Sequence, residues 1–310
     1  VKVSIIIRCL NEEKLIEKLF IGIENQNYQN KEVIVVDSGS TDKTLEIASK
    51  YDVKVVHIKP EDFSFGFALN KGCEHANGDF LLFASAHVYP TYTTWLAEMI
   101  RAFQDERVAL VYGRQIGNEL SKYSETRLFS KWFPEESNFD QHFPFCNNAN
   151  CAIRKSLWLG QKFDEKLTGL EDLAWAKEIL EKGHRIAYNA KAMIVHVHEE
   201  TPSRIYNRYR REAIALKKIF PNEKFDLSNF LRLSLVNIIS DYYQAIQSAV
   251  FFKNILEIPQ FRILQFWGTY KGYRQKGGIS SSLRNRFYYP NELKKEVNSN
   301  TEQDISIEYE

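Results

Sequence analysis

Cysteine is scarce in this chain, and the little there is carries no metal or disulfide pattern. Four cysteines occur in 310 residues. Of these, Cys146 and Cys151 are the nearest pair, without the second pair that a zinc site of two short Cys motifs needs. They read as buried, reduced thiols. An excess of one charge is also missing: 41 Lys and Arg stand against 40 Asp and Glu, a net +1, which gives no overall attraction to nucleic acid. No apolar run reaches the roughly 18 residues of a membrane-spanning helix. The nearest, Leu233 to Phe252, is interrupted by Asn237, Asp241 and glutamines and reads as a core helix. No signal-peptide pattern is visible. An apolar fraction of 44% with 26% charged residues suits a globular protein holding one large α/β domain and an extension.

What is present is an alternation of apolar strands and helical patterns over the first 115 or so residues. Val3–Ile7 runs into Arg8-Cys9-Leu10-Asn11-Glu12-Glu13, and Glu32–Val36 into Asp37-Ser38-Gly39-Ser40-Thr41-Asp42. Further strands are expected at 54–58, 80–84 and 109–113, the fourth being fully apolar and so central. Helices are expected from Asn11 or Glu12 to Glu24, from Lys43 to Lys50 with Ser40 or Thr41 as N-cap, from Ala68 to Ala76, and from Thr93 to Phe103. Such βα repeats imply a mostly parallel sheet flanked by helices. A carboxylate at a strand's carboxyl end, as at Asp37, sits where open α/β sheets bind ligands, which suggests a nucleotide-handling enzyme.

The pattern breaks between 116 and 150, an aromatic stretch read as a long functional loop. Glu171 to Lys182 then reads as a helix closed by Gly183, and 192–197 as a strand. Between 201 and 290 the chain turns basic, with 15 Lys and Arg against 5 acids, in helical, aromatic-rich sequence. From Asn291 to Glu310 it is polar and acidic and expected to fray. The expected division is therefore a domain over 1–200, a helical extension over 201–290 and a tail over 291–310.

Taken in order, these motifs resemble glycosyltransferase family 2. They are Asn11-Glu12-Glu13, Val35-Val36-Asp37-Ser38-Gly39-Ser40-Thr41-Asp42, Gly66 to Gly72, Ala76-Asn77-Gly78-Asp79, Asn148-Ala149-Asn150 through Arg154, Gly169-Leu170-Glu171-Asp172 and Val195-His196-Val197-His198. The resemblance covers about residues 1–200 and implies the GT-A fold and a nucleotide-sugar donor. It gives Asp37 and Asn11 to the nucleoside, places Asn70 near the donor, and makes Asp172 the base, with Glu171 positioning it or the acceptor. A base of this kind takes the acceptor hydroxyl's proton as the anomeric carbon is attacked from the opposite face. Asn148 and Asn150, with the aromatic stretch, fall to the acceptor side. Paired acids in a helix's first turn also occur for dipole reasons alone, and Trp175 reads as packing or as an acceptor platform. Arg8, where relatives often carry Pro, reads as a diphosphate contact or an ion pair.

One departure stands out. Ser85-Ala86-His87 follows the central strand where the family usually has Asp-x-Asp, the carboxylates that hold a divalent metal against the diphosphate. Two readings stay open. In one, His87 binds Mn or Mg with His196 or His198, much as an Asp-x-His pattern does in mucin-type transferases. In the other no metal is used, and His87, His196 and nearby arginines take the diphosphate directly; Ser85 falls on the donor-binding side in either case.

The implied function is inverting transfer of a sugar to an acceptor hydroxyl in bacterial O-antigen or capsule-like polysaccharide. It implies a glycan or lipid-linked acceptor, no nucleic-acid partner, and a cytoplasmic location with the basic helices against the inner membrane face. A transferase-derived binding module without activity is the rival, since the metal-binding acids are missing. A nucleotidyltransferase is disfavoured because Asn11-Glu12-Glu13-Lys14 is not a Gly-rich phosphate loop.

Overall fold

A computed structural model describes residues 1–277 and 280–288; the expected acidic tail lies outside the described residues. In chain order the elements are β1 (Val3–Cys9), α1 (Ile16–Glu24), β2 (Lys31–Asp37), α2 (Thr44–Ala48), β3 (Lys54–His57), α3 (Phe65–Glu74), β4 (Phe80–Ser85), β5 (Val88–Pro90), α4 (Trp95–Arg101) and β6 (Val108–Ile116). There follow α5 (Tyr123–Trp132), β7 (Asn138–Gln141), β8 (Asn150–Arg154), α6 (Lys155–Gly160), α7 (Glu171–Glu181) and β9 (Arg185–His196). The helical part is α8 (Pro202–Ile219), α9 (Leu227–Gln247), α10 (Phe251–Asn254), α11 (Glu257–Tyr273) and α12 (Ser281–Tyr288).

The strands form one sheet in the order β3-β2-β1-β4-β8-β6-β9-β5, with β7 pairing β9 off this path. β3, β2, β1 and β4 run parallel, β8 enters antiparallel between β4 and β6, and β9 lies parallel to β6. β1 is buried on both faces, which is why it reads as an unbroken apolar run. Val3, Ile5 and Ile7 pack with Ile16, Leu19, Phe20 and Ile23 of α1 and with Trp95, Leu96 and Met99 of α4. Ile6 points the other way, into a layer with Leu69 of α3, Trp158 of α6 and Trp175 of α7. All four cysteines are buried and free.

The chain divides into two compact units, Val1–Glu199 with Asp241–Ile258, and Glu200–Ser240 with the described residues from Pro259 onward. In the second, Gly268 of α11 lets that helix approach α8 closely: a Cβ there would lie 2.6 Å from the Tyr206 carbonyl. Arg208 pairs with Glu200 at 2.6 Å and Arg210 donates to Gln275 at 2.8 Å.

Four expectations need correction. The stretch 116–150 is not one loop but contains α5 and β7. Glu257 anchors the start of α5, accepting from the Tyr123 N–H at 2.8 Å and pairing with Lys122 at 3.1 Å, a tertiary contact that local sequence does not announce. The first helix begins at Ile16, not at Asn11 or Glu12, because Asn11 adopts a left-handed φ of 55° and bonds across to the next loop. Neither Ser40 nor Thr41 caps the second helix; Asp42 accepts from the Thr44 N–H instead, at 2.9 Å. Finally, α9 is not a core helix, since Leu231, Leu235, Val236 and Ile239 are all more than half exposed.

Candidate active site

The loops after β1 and β2 are tied to each other by side chains. Asn11 Oδ1 accepts from the N–H groups of Thr41 and Asp42 at 2.8 and 3.3 Å, and the Asn11 N–H donates to Ser40 Oγ at 3.0 Å. The Glu12 N–H donates to Thr44 Oγ1 at 2.7 Å, and the Glu13 N–H to Asp42 Oδ2 at 3.1 Å. Asp37, buried at the end of β2, accepts from the N–H groups of Gly39 and Ser40 at 3.1 Å each. That turn needs the positive φ of 99° that glycine supplies at position 39. The ring of His57, at the end of β3, lies 3.5 Å from Asp37. Asn11 and Asp37 thus stand on one rim of the sheet, at the carboxyl ends of adjacent parallel strands.

Three histidines gather beside this rim. β5 pairs antiparallel with the end of β9, Val88 opposite His196, so His87, immediately before β5, is set against residues 196–198. The Val197 N–H donates to the His87 carbonyl at 3.1 Å. Positions 196 and 198 fall on one side by the two-residue period of extended chain, and their ring centroids are 4.0 Å apart. The His87 ring stacks on His196 at 5.1 Å. Nitrogen atoms of all three lie within 4.8 Å of one another.

Each ring has its Nδ1 beside a side-chain oxygen. Glu12 Oε1 lies 2.9 Å from His87, Gln115 Oε1 2.7 Å from His196, and Glu125 Oε1 2.7 Å from His198. A side-chain oxygen accepting from an Nδ1–H would put the ring's lone pair on Nε2, an arrangement that metal-binding imidazoles use. The donor set therefore fits a divalent cation that accepts nitrogen ligands. Both His196 and His198 belong to the cluster.

The paired acids open α7 directly after Leu170, whose φ of 58° is left-handed, a strained conformation for a branched residue of the sort found at functional turns. Both are buried. Asp172 accepts from the Asn148 N–H at 2.9 Å and the Leu173 N–H at 2.8 Å. Glu171 meets Asn148 Nδ2 at 3.3 Å and Arg8 at 3.4 Å. Burial, and then the neighbouring Glu171 charge, push the Asp172 carboxyl up to about 7. Arg8 also lies 4.6 Å over the Phe65 ring and sits opposite Ser85 across the β1–β4 pairing, two residues before His87. The end of β1 thus carries Arg8, the partner of Glu171, and the chain leaving β4 carries His87 of the histidine cluster.

Two expected site residues are braces. Asn70 donates to the Phe163 carbonyl and Glu165 at 3.0 and 2.8 Å, and accepts from Trp158 Nε1 and the Phe163 N–H at 3.1 Å each. Its amide is fully used and has no atom left for a donor sugar. Asn150 is wholly buried. It accepts from Trp95 Nε1 at 2.9 Å and donates to the carbonyls of Ala192 and Arg114 at 2.8 and 3.2 Å, which removes it from the acceptor side. Trp175 is likewise a core residue, donating to the Gln161 carbonyl at 2.7 Å. Gln115 and Glu125 escaped notice in the sequence. Glu125 lies in the stretch expected to be irregular, and a buried carboxylate beside a distant histidine has no local signature.

The model of the family described as glycosyl transferase family 2 matches residues 4–159. The O-antigen chain rhamnosyltransferase WbaN of Salmonella anatum is 32% identical over 204 residues, 61% of this chain and 64% of that protein. The O-antigen chain rhamnosyltransferase RfbN of Salmonella typhimurium is 26% identical over 220 residues, 67% of this chain and 70% of the relative. The chain thus spans about two thirds of the length of each. Among solved structures, the mannosyltransferase PcManGT of Pyrobaculum calidifontis, in complex with GDP-Man and Mn2+, superposes with a TM-score of 0.58 at 18% identity, covering 94% of this chain and 88% of that one. Staphylococcus aureus TarS 1–349 in complex with UDP gives 0.53 at 19% identity, covering 89% and 92%. At such identities the likeness is one of fold, the GT-A arrangement expected from the sequence.

Proposed function

Because the chain belongs to glycosyl transferase family 2, we propose that it moves one sugar, with inversion, from a nucleotide-sugar to a hydroxyl of a lipid-linked cell-surface polysaccharide. The single observation that carries the reading is the buried Asp172–Glu171 pair, with Asp172 held near neutrality in the first turn of α7. A carboxyl poised at about 7 is well matched to general-base work at physiological pH. Asp172 takes the acceptor proton while the acceptor oxygen bonds to the anomeric carbon. The bond from that carbon to the diphosphate breaks, and the nucleoside diphosphate leaves with the electron pair. Asn148 and Arg8 orient the acid pair through their contacts with Asp172 and Glu171.

Asn11 and Asp37 bind the nucleoside on this reading, and His87, His196 and His198 hold a divalent cation, Ser85-Ala86-His87 standing in place of Asp-x-Asp. When bound, such a cation neutralises the leaving diphosphate. The retained acids favour an enzyme over a binding module that has lost its activity. The Salmonella rhamnosyltransferases favour a polysaccharide of the O-antigen kind and a deoxyhexose donor. The test is a thermal-shift screen of UDP, GDP, dTDP and CMP with and without Mn2+, followed by transfer assays that include a nucleotide-rhamnose. Stabilisation by one nucleotide and turnover with its sugar are expected; no turnover with any nucleotide-sugar would defeat the reading.

A further inference from the structure

The helix α9 is inside out. Along its first four turns, Ser234 is buried and Asn237 half-buried, while Leu227, Leu231, Leu235, Val236 and Ile239 are 50–60% exposed. Their spacing of four, four, one and three residues gathers them on one face. An apolar helical face normally turns toward protein, because each exposed branched side chain forgoes the gain of leaving water. The opposite side of the helix is anchored instead: Phe230 packs edge-on against Trp267 of α11 at 5.3 Å between ring centroids, with Tyr270 at 6.4 Å. The outward orientation is therefore built into the packing of this unit.

The charge of the unit indicates what the face meets. Residues 200–240 and 259–288 carry 14 Lys and Arg against 4 Asp and Glu, a net +10 in a chain whose total is +1. Lys218, Lys224 and Arg232 are exposed. Self-association through this face would bring two such units together and set like charges against each other. An anionic bilayer instead offers hydrocarbon to the leucines and phosphate to the cations, the two demands of an interfacial amphipathic surface. No helix among the described residues is long and apolar enough to cross a membrane, so the contact is one of lying on the surface. We propose that the outward face of α9, lined by Leu227, Leu231, Leu235, Val236 and Ile239, docks the protein on an anionic phospholipid bilayer. The inference rests on the reading of the acceptor as lipid-linked, a substrate that is itself held at a bilayer surface.

Flotation with vesicles of phosphatidylcholine containing phosphatidylglycerol tests it on the full chain. Wild type is expected to float at low salt, and vesicles lacking phosphatidylglycerol to recover far less. Leu231→Ser with Leu235→Ser should lower the bound fraction more than about tenfold, while Lys224→Gln with Arg232→Gln should weaken binding in a salt-dependent way. Thermal melts of each variant matching wild type confirm that the fold is kept. Wild type that fails to float, or a leucine variant that floats undiminished, overturns the docking. So does a wild-type dimer in light scattering that the leucine substitutions convert to monomer. Transfer to a water-soluble acceptor is measured in parallel: loss of flotation with that turnover intact supports the docking, whereas flotation without turnover toward any donor overturns the catalytic reading and leaves the docking standing.

Discussion

His87 Nδ1 lies 2.9 Å from Glu12 Oε1, a contact that joins segments 75 residues apart. Through it the loop after β1, which also holds Asn11 against the β2 loop, fixes the orientation of a ring in the three-histidine cluster. On the proposed reading, Glu12 is a positioning residue that acts on a bound cation through the His87 ring.

Glu12→Gln should therefore weaken Mn2+ binding by about 10–100-fold, read by titration calorimetry. The melting temperature without metal should change little, because Glu12 is partly exposed. Unaltered Mn2+ affinity would show that the carboxylate does not tune the ring. His196→Ala, which removes a ring from the cluster, should abolish the Mn2+-dependent rise in melting temperature, worth about 2.7 kcal/mol in wild type at a hundredfold excess over Kd.

Asp172→Asn keeps the shape of the side chain and removes the proposed base. Turnover should fall by at least about 10²-fold with nucleotide affinity unchanged, since the residue's partners are Asn148 and Leu173 on the acid side of the site. Measuring kcat alongside nucleotide binding separates this outcome from a general loss of structure.

The same residue dictates a pH dependence. Its carboxyl titrates at about 7 in the folded protein, above the ordinary 3.8. The folded state thus holds the proton more tightly than the unfolded chain. The stability this confers is complete below about pH 4 and is lost as pH rises through about 7. Asp172→Asn should melt above wild type at about pH 8, and the gap should close as pH falls toward 4. Catalysis runs the other way, because the base must be ionised: kcat should climb with pH and level off above about 7. A wild-type rate flat from about pH 5 to 8 would count against Asp172 as the base.

Asn70→Ala tests the division between braces and binding groups. It leaves the Trp158 indole N–H, the Phe163 N–H and the Phe163 carbonyl without their partner, at a cost of about 1–3 kcal/mol for each buried group left unsatisfied. A lower melting temperature with an unchanged KM for donor is the expected pair of results. A raised KM at unchanged stability would return Asn70 to the donor.

Much of this protein was legible in the residue order. Unbroken apolar strands followed by carboxylates marked the parallel half of the sheet and its carboxyl rim, because burial on both faces dictates the strand pattern and the ends of parallel strands converge on one edge. The acid pair and the histidines also lay in recognisable motifs. What the sequence did not disclose depends on contacts between distant segments: that α5 interrupts the aromatic stretch with a buried Glu125 for His198, that Glu12 reaches His87, and that the amides of Asn70 and Asn150 are consumed by indole and backbone partners. Nor did composition tell which side of α9 faces out. An apolar stripe specifies only that it must leave water, whereas the neighbours already packed against the opposite face determine where it points.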